Sequence, residues 1–299
     1  IIETQLTDGS GSSSLMQQIS EMMGVNKQAG HAYKNASCVV PINDIRGIEA
    51  MGYAKGEKIL RCKIASVFRL VDLYGWAQGS SSSLITARLN QDEEQFLVNP
   101  YGMLFHEITA SSLIKIDMQA NVLEQGTTNF SVNIAAFSLH GAVHAARPDI
   151  KCIIQVHTPS VVAVSSLKSG LLPICQESVV IGDISIHPYL GGLLDPEEKV
   201  KLARNLGPTN KILLLSNQGA LCCGQTIEEA FFNARNTVLA CESQLKLLPV
   251  GLDNLILLTD EAKKKIYDAA HSPPASSPRP DKPTILEGKL ERKWRVGGV

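Results

Sequence analysis

Polar side chains stand at the ends of two buried strands that the sequence predicts. Gln155 and His157 close the first strand, and Asn217 and Gln218 close the second. Each run then turns at proline or glycine, which places such side chains at the edge of a sheet, where ligands commonly bind. An imidazole among amides could bind a metal ion or a small molecule, although a single histidine at such a place is more commonly structural.

Other candidates for chemistry have simpler interpretations. Cys222 and Cys223 are adjacent on a predicted strand, so their thiols point to opposite faces, and no cationic sequence neighbour is present to activate either of them. His140 and His144 lie four residues apart on a predicted helix, but no Glu-x-x-His pattern accompanies them. We interpret the cysteines as buried strand residues and the two histidines as core or surface residues.

Charge and cysteine usage exclude several classes of protein. The chain has 28 Lys+Arg and 29 Asp+Glu, a net charge of −1, so it lacks the basic excess with which a protein neutralises nucleic-acid phosphates or binds anionic lipid. Its seven cysteines are odd in number, scattered and without a CxxC pair, which argues against a disulfide framework and a zinc-thiolate site. We find no signal peptide and no apolar stretch of membrane-spanning length. We therefore expect a cytoplasmic protein with reduced thiols.

Composition predicts four segments. Residues 1–34 include the run DGSGSSS and are predicted to be flexible. Residues 35–270 should form one globular domain. Residues 271–283 contain five prolines, which forbid regular helix and sheet, so we predict a disordered linker there, followed by a short segment at residues 284–299. Because the chain starts at Ile1 without a methionine and its last residues have the pattern of a segment that continues, we expect it to be a fragment of a longer polypeptide.

Helix and strand patterns alternate within the globular segment. Apolar residues at three-four spacing predict helices at residues 57–74 and 131–147. Shorter β-branched or apolar runs predict strands at residues 85–89, 95–98, 113–118, 151–157 and 211–216. The sequence therefore predicts an α/β domain in which helices cover a central sheet.

Two further helices are predicted from their first residues. Asp195 and Pro196 form a good N-cap and first turn, and the helix that they open should stop at Gly207. Thr226 and Glu229 form a capping box in which Glu229 reaches back to the Thr226 amide. This role explains Glu229 without assigning it to hydrolysis as a partner of Glu228.

The motifs at the two strand ends resemble those of the class II aldolase and epimerase family. In that family a strand ending His-x-His-(S/T)-P and a later strand ending Asn-His-Gly supply three histidines to zinc. A catalytic glutamate lies about a dozen residues before an Arg-Pro-Asp turn, which corresponds here to residues 147–149. The resemblance implies a single domain with a three-layer α/β/α fold and a mainly antiparallel central sheet.

Carried across residue by residue, this resemblance implies a degenerate pocket. The first metal histidine corresponds to Gln155, the second to His157, and the third to Gln218, which follows Asn217. The catalytic glutamate corresponds to Ala136. The general-acid tyrosine of the family corresponds to Tyr189, and its phosphate loop to residues 80–88, where a run of serines replaces Gly-Asn.

These replacements remove the family's chemistry. Catalytic zinc needs three good protein ligands and one open position, and an amide oxygen is a poor ligand for it. Without the metal nothing stabilises an enediolate, and without a carboxylate near Ala136 no base moves the proton. We therefore predict no catalytic residue, no metal ligand and no cofactor, and we expect a pseudoenzyme related to the zinc-dependent aldolases.

Further motifs resemble the adducin branch of this family. They are residues 41–44, 55–58, 61–63, 69–78, 107–115, 145–152 and 240–242. In addition, Lys293-Trp294-Arg295-Val296-Gly297 resembles the start of the adducin neck. Adducins are generally closer than this chain to His-x-His and Asn-His-Gly, so we expect a divergent member or a different paralogue. The resemblance implies a non-catalytic head domain of a membrane-skeleton protein at the cytoplasmic face of the plasma membrane.

Partners are also implied by the resemblance. We expect the head to form a homodimer, a homotetramer or a hetero-oligomer with another adducin. Actin and spectrin would be bound, and filament ends capped, by the full-length protein, and the membrane would be reached only through parts outside this chain. Two alternatives remain: an active class II aldolase or epimerase with a relocated metal site, and a small-molecule binding module that uses Gln155, His157 and Gln218 as hydrogen-bond partners.

Overall fold

One eight-stranded sheet organises the domain. The computed structural model describes residues 40–46, 52–53, 56–77, 83–90, 93–189 and 191–272, and residues from Ile42 onward belong to one compact unit. The predicted flexible segment 1–34, residues 273–283 of the predicted linker and the predicted neck segment 284–299 lie outside the described residues.

The strands pair almost entirely in antiparallel fashion. Their bounds are Ile85–Asn90 (β1), Gln95–Val98 (β2), Ile114–Ile116 (β3), Val122–Glu124 (β4), Cys152–Val156 (β5), Ile184–His187 (β6), Ile212–Leu215 (β7) and Gly219–Gly224 (β8). Their order across the sheet is β4-β3-β2-β1-β5-β8-β7-β6, and β6 and β7 are the neighbours that run parallel. The prediction of a mainly antiparallel sheet is confirmed.

Helices cover both faces of this sheet. Their bounds are Glu57–Leu73 (α1), Ile134–Ala146 (α2), Pro159–Ser165 (α3), Gln176–Val180 (α4), Pro196–Leu206 (α5), Ile227–Leu247 (α6) and Asp260–His271 (α7). Apolar residues of α1, α3 and α6 form one core with the sheet, and those of α2 and α5 pack against the other face. Cys222 belongs to the first core and Cys223 to the second, as expected from the alternation along a strand. The three-layer α/β/α prediction is confirmed.

Helix starts follow the predicted caps with one correction. The Asp195 side chain accepts a hydrogen bond from the amide of Glu198, and the Thr226 hydroxyl accepts one from the amide of Glu229. The predicted bond from Glu229 back to Thr226 is wrong. The Glu229 carboxylate, which is almost fully buried, accepts instead from the amide of Gln225 at 2.7 Å and pairs with Lys211. A cation at the start of the neighbouring strand thus changes the local capping pattern.

A buried charge network fastens α1 to the β3–β4 end of the sheet. The Arg61 side chain is completely buried, and its Nε donates to Glu57 Oε1 at 2.9 Å and its Nη2 to Glu124 Oε1 at 2.8 Å. Lys115 Nζ lies 3.1 Å from Glu57 and 2.9 Å from Glu124. Arg61 Nη1 also donates to the main-chain oxygen of Leu113 at 2.8 Å. Two cations therefore balance two carboxylates where the helix crosses the sheet.

Candidate functional site

The two strand ends singled out in the sequence meet in space. Strands β5 and β8 are neighbours, and Val156 lies opposite Ala220, which brings His157 beside the turn between β7 and β8. His157 Nδ1 donates to the main-chain oxygen of Gln218 at 2.6 Å. Because a carbonyl oxygen only accepts, the neutral ring carries its hydrogen on Nδ1 and leaves a lone pair on Nε2. His157 is thus held by the backbone of the turn.

The turn itself has a tightly specified backbone. Asn217 has a φ of 61°, a left-handed conformation that asparagine tolerates better than most residues. Gly219 has a φ of 113°, and a Cβ atom there would lie 2.3 Å from the main-chain oxygen of Val156. Only glycine avoids both problems. The glycine of the family motif is therefore required by the close approach of β5.

Gln155 faces the layer formed by α2. Its neighbours Ile153 and Leu221 belong to the core on that side of the sheet. The Gln155 side chain is partly buried, and its amide lies within hydrogen-bonding reach of His140. The sequence resemblance assigns this position to the family's first metal histidine, and here it holds an amide.

Ala136 lies in the first turn of α2 within an apolar environment. It packs in a cluster with Leu84, Phe96 and Val98, and its amide donates to the Asn133 side chain at 3.1 Å. Asn133 caps the start of the helix, and the cluster around Ala136 contains no ionisable group at the position that the resemblance assigns to the family's glutamate.

Tyr189 lies beyond β6 and is held separately. It packs against the core between α2, α5 and the sheet, and its hydroxyl donates to the main-chain oxygen of Gly192 at 3.3 Å. Burial raises the pKa of this phenol. Among the described residues, no hydrogen bond joins Tyr189 to Gln155, His157 or Gln218. Its correspondence to the general-acid tyrosine of the family stays a prediction.

A buried hydrogen-bonded row beside Gln155 was not foreseen from the sequence. Thr86 Oγ1 lies 3.0 Å from His140 Nδ1 and 2.9 Å from His144 Nε2, and His144 Nδ1 lies 3.2 Å from the main-chain oxygen of Ile150. Both histidines are core residues, as one of the two interpretations predicted. The bridging hydroxyl comes from β1, more than 50 residues away in sequence, so helical spacing gave no sign of it.

Burial keeps both imidazoles of this row neutral. It lowers the pKa of His140 to about 3, while the nearby Gln155 side chain acts in the opposite direction as a hydrogen-bond partner. Burial, aided by the charge of Arg88, lowers the pKa of His144 well below its ordinary value. The row therefore behaves as a fixed set of neutral donors and acceptors near pH 7.

The side chains that the sequence resemblance places at the family's metal positions do not fit a zinc ion. They supply one imidazole, from His157, and two amides, from Gln155 and Gln218, and the helix position supplies a methyl group, from Ala136. Within the part of the chain that the structure describes, no three His, Cys, Asp or Glu side chains are grouped so as to hold a metal ion. Neutral amide oxygens are weak zinc ligands, so this set lacks both the charge and the softness that zinc sites use.

The cysteines near the sheet are inert. Cys152, Cys222 and Cys223 are fully buried free thiols. Burial raises the pKa of Cys222 to about 12 and that of Cys223 well above its ordinary value. Because the thiolate is the reactive form, neither thiol is prepared for nucleophilic attack. The interpretation as buried strand cysteines is confirmed.

Known proteins resemble the chain in both sequence and fold. The family described as Class II Aldolase and Adducin N-terminal domain matches residues 62–245. The protein hu-li tai shao of Drosophila melanogaster is 52% identical over 100% of this chain and 27% of its own length. Alpha-adducin of Mus musculus is 43% identical over 99% of this chain and 42% of its own length. The chain thus spans less than half of these curated relatives.

A solved structure extends the similarity to the fold. The aldolase II superfamily protein from Pseudomonas syringae superposes with a TM-score of 0.69 at 32% identity, over 75% of this chain and 88% of that one. Across the described residues, no helix is long and apolar enough to span a membrane.

Proposed function

The chain belongs to the family of class II aldolase and adducin N-terminal domains, and we propose that it is a non-catalytic head domain of an adducin-type membrane-skeleton protein. The observation that carries this proposal is the donor set at the strand ends. The aldolase framework is present, with His157 seated on the β7–β8 turn, but Gln155, Gln218 and Ala136 occupy three positions where the aldolases need ionisable or metal-binding groups.

The proposal follows from what each replacement removes. An aldolase stabilises an enediolate through its metal ion, and the metal needs three strong ligands. It also needs a base to transfer a proton, which a methyl group at Ala136 does not provide. Because the losses affect both the metal and the base, no single neighbouring group compensates for them.

Introducing histidines at positions 155 and 218 tests whether the fold can still hold zinc once the metal-binding side chains are restored. We expect the native chain to retain little zinc after dialysis, and the double variant Gln155→His with Gln218→His to retain about one equivalent, because three imidazoles make a sufficient site. Plasma emission spectroscopy measures both. Gln119→His with Gln125→His, which adds two histidines at exposed positions, is the matched control and should not gain metal. Stoichiometric metal in the native chain, with turnover of a sugar phosphate, would instead support an active enzyme with a relocated site.

Self-association is the role that we propose for this head. It would form a homodimer, a homotetramer or a hetero-oligomer with another adducin. A group of exposed apolar side chains at the start of α2 supports this role: Tyr101 is 42% exposed, Phe130 47% and Ile134 57%. The Tyr101 amide donates to the oxygen of Ser131 at 2.8 Å, so these residues are neighbours on one surface. Exposed apolar groups of this kind are typical of protein interfaces.

Light scattering at tens of micromolar measures this association. We expect an oligomer for the native chain and a smaller species for Phe130→Asp, because a carboxylate at an apolar interface is left without a partner. Ile256→Asp changes another exposed apolar residue, 93% exposed and far along the chain, and should leave the oligomer intact. A monomer in the native sample would contradict the proposed role.

Actin and spectrin are proposed as partners of the full-length protein. The chain covers 27% of hu-li tai shao and 42% of alpha-adducin, so contacts with the filament network would lie largely outside it, at the cytoplasmic face of the plasma membrane. Co-sedimentation with actin and spectrin should be weak for this chain and strong for a version extended beyond Val299. Equal co-sedimentation of both would place the contacts in the head itself.

A further inference from the structure

A cavity lies at the end of the sheet opposite to the strand ends that resemble the aldolase site. Strands β6 and β7 run parallel and begin with Ile184 and Ile212. They end at His187 and Leu215, next to the β7–β8 turn. The cavity measures about 490 Å³ and is lined by Ile184, by Lys211 and by side chains of α4 and α7. A volume of this size is typical of sites for small ligands.

Hydrogen bonds to other parts of the domain hold the walls of this cavity. The loop before α4 is held by Gln244, whose buried side chain bonds the main chain of Gly170 at 2.8 Å and of Leu172 at 2.7 Å. The main-chain oxygen of Pro173, which lines the cavity, accepts from the amide of Leu258 at 2.9 Å, just before α7 begins. The walls are therefore fixed without a ligand, as they commonly are in small-molecule sites.

Helix α7 forms one wall of the cavity although none of its residues is fully buried. The Tyr267 ring stacks on His271 with the ring centroids 3.9 Å apart. A Cβ atom added at Gly182 would lie 3.3 Å from Tyr267 Cε2. The glycine therefore allows the tyrosine ring to lie close to the loop before β6, where both residues line the cavity.

The lysines of the lining favour an anion on the α7 side. Lys211 is paired with Glu229, a buried carboxylate. Lys263 lies 2.8 Å from Asp260, but the Asp260 side chain is 97% exposed, and a surface pair of this kind contributes little. Lys264 is exposed and has no ion-pair partner among the residues that the structure describes. Lys263 and Lys264 can therefore both bind an anionic group in the cavity.

The rest of the lining selects for more than negative charge. Asp183, just before β6, adds a carboxylate that repels a bare inorganic anion and accepts hydrogen bonds from hydroxyl or amino groups. Leu171, Val179 and Ile181 add apolar surface beside the Tyr267 ring. A ligand that fits this lining combines an anionic group, hydrogen-bond donors and an apolar ring.

We propose that this cavity binds a ligand of the nucleoside monophosphate class. The phosphate lies at Lys263 and Lys264, a hydroxyl or amino group donates to Asp183, and the base packs on the apolar lining. The lining includes neither the strand-end residues that resemble the aldolase site nor the exposed apolar side chains proposed for self-association. The site therefore goes beyond the proposed function, and its test is independent of that function.

Isothermal titration calorimetry on the full chain tests the proposal with adenosine monophosphate as the probe. We expect saturable binding of this nucleotide. Adenosine and inorganic phosphate should each bind more weakly by about tenfold or more, because each lacks part of the required chemistry. NMR shift changes caused by the nucleotide should centre on Gly182 and Tyr267 and spare His157. Absence of saturable binding, equally tight binding of inorganic phosphate, or shifts centred on His157 would overturn the proposal.

Variants of equal charge separate the cavity from the general field of the protein. Lys263→Gln with Lys264→Gln should weaken nucleotide binding by about tenfold or more, because both cations at the phosphate are lost. Lys201→Gln with Lys265→Gln is the matched control, since these side chains are 63% and 76% exposed and lie outside the lining. It should bind the nucleotide as the native chain does. Unchanged binding in the first variant, or equal weakening in both, would contradict the proposal.

Discussion

Gly219 lies in the β7–β8 turn at a position where any other side chain would displace β5. Its φ of 113° suits glycine, and a Cβ there would lie 2.3 Å from the oxygen of Val156. The same turn presents the Gln218 oxygen to His157. A residue without a side chain thus helps to fix the turn whose main-chain oxygen binds His157.

Replacing Gly219 with alanine should lower the free energy of unfolding by about 3 kcal/mol, since backbone strain and a steric clash act together. Gly56→Ala is the matched control, because Gly56 has a φ of 89° but nothing within 4 Å of an added Cβ. It should cost about 1 kcal/mol, the cost of left-handed backbone alone. Urea unfolding measures both. Equal losses for the two variants would show that the contact with Val156 relaxes freely.

At the scale of single elements, local rules account for helix starts. Asp195 and Thr226 cap their helices as predicted, because a cap and its partner lie within a few residues of each other. Glu229 shows the limit of such rules. It pairs with Lys211, which lies 18 residues away and outside the helix, and does not make the predicted capping bond. Local patterns likewise could not reveal that β5 lies between β1 and β8.

Long-range packing also explains which parts of the site were predictable. The sequence placed His157 and Gln218 at strand ends, and the family resemblance implied that they share one pocket. In the structure a hydrogen bond joins them. The link between Thr86 and His140 needed the sheet order, since their separation of 54 residues has no sequence signal. The motif resemblance supplied the three-layer fold, which periodicity alone left as a general α/β domain.

Helix α1 should depend strongly on its buried arginine. Arg61→Met leaves Glu57 almost completely buried with Lys115 as its remaining cation, and we expect a loss of about 3 to 5 kcal/mol in the free energy of unfolding. Lys63→Met breaks the Lys63–Glu228 pair, whose side chains are 44% and 47% exposed, and should cost less than about 1 kcal/mol. Chemical denaturation of both variants measures the difference. A small effect for Arg61→Met would mean that the network contributes little to the docking of α1.

At the scale of the whole molecule, two cores flank one sheet, and the α2 side contains neutral histidines. Burial holds the pKa of His140 at about 3, below its ordinary value of 6.5, and that of His144 well below the same value. The unfolded chain therefore binds protons at these sites at a higher pH than the folded chain does. Their contribution to stability is fully present above about pH 6.5 and is lost as the pH falls from there toward 3.

Acidification should therefore destabilise the domain in a way that depends on this pair. Between pH 6 and pH 5 each buried imidazole should contribute a slope of about 1.4 kcal/mol per pH unit to the free energy of unfolding. His140→Gln should reduce the slope by about that amount. Urea titrations at several pH values give the slopes. An unchanged slope in His140→Gln would contradict the assignment of a neutral buried ring.

The adjacent thiols of Cys222 and Cys223 in β8 can report separately on the unfolding of the two helical layers. Cys222 belongs to the core beneath α1, α3 and α6, and Cys223 to the core beneath α2 and α5, yet one peptide bond joins them. A thiol-reactive reagent therefore meets two groups of the same strand, shielded by different helices. If the two helical layers separate from the sheet at different denaturant concentrations, mass spectrometry will find one of the two sulfurs labelled before the other. If both sulfurs are labelled together, the two layers unfold in one cooperative step.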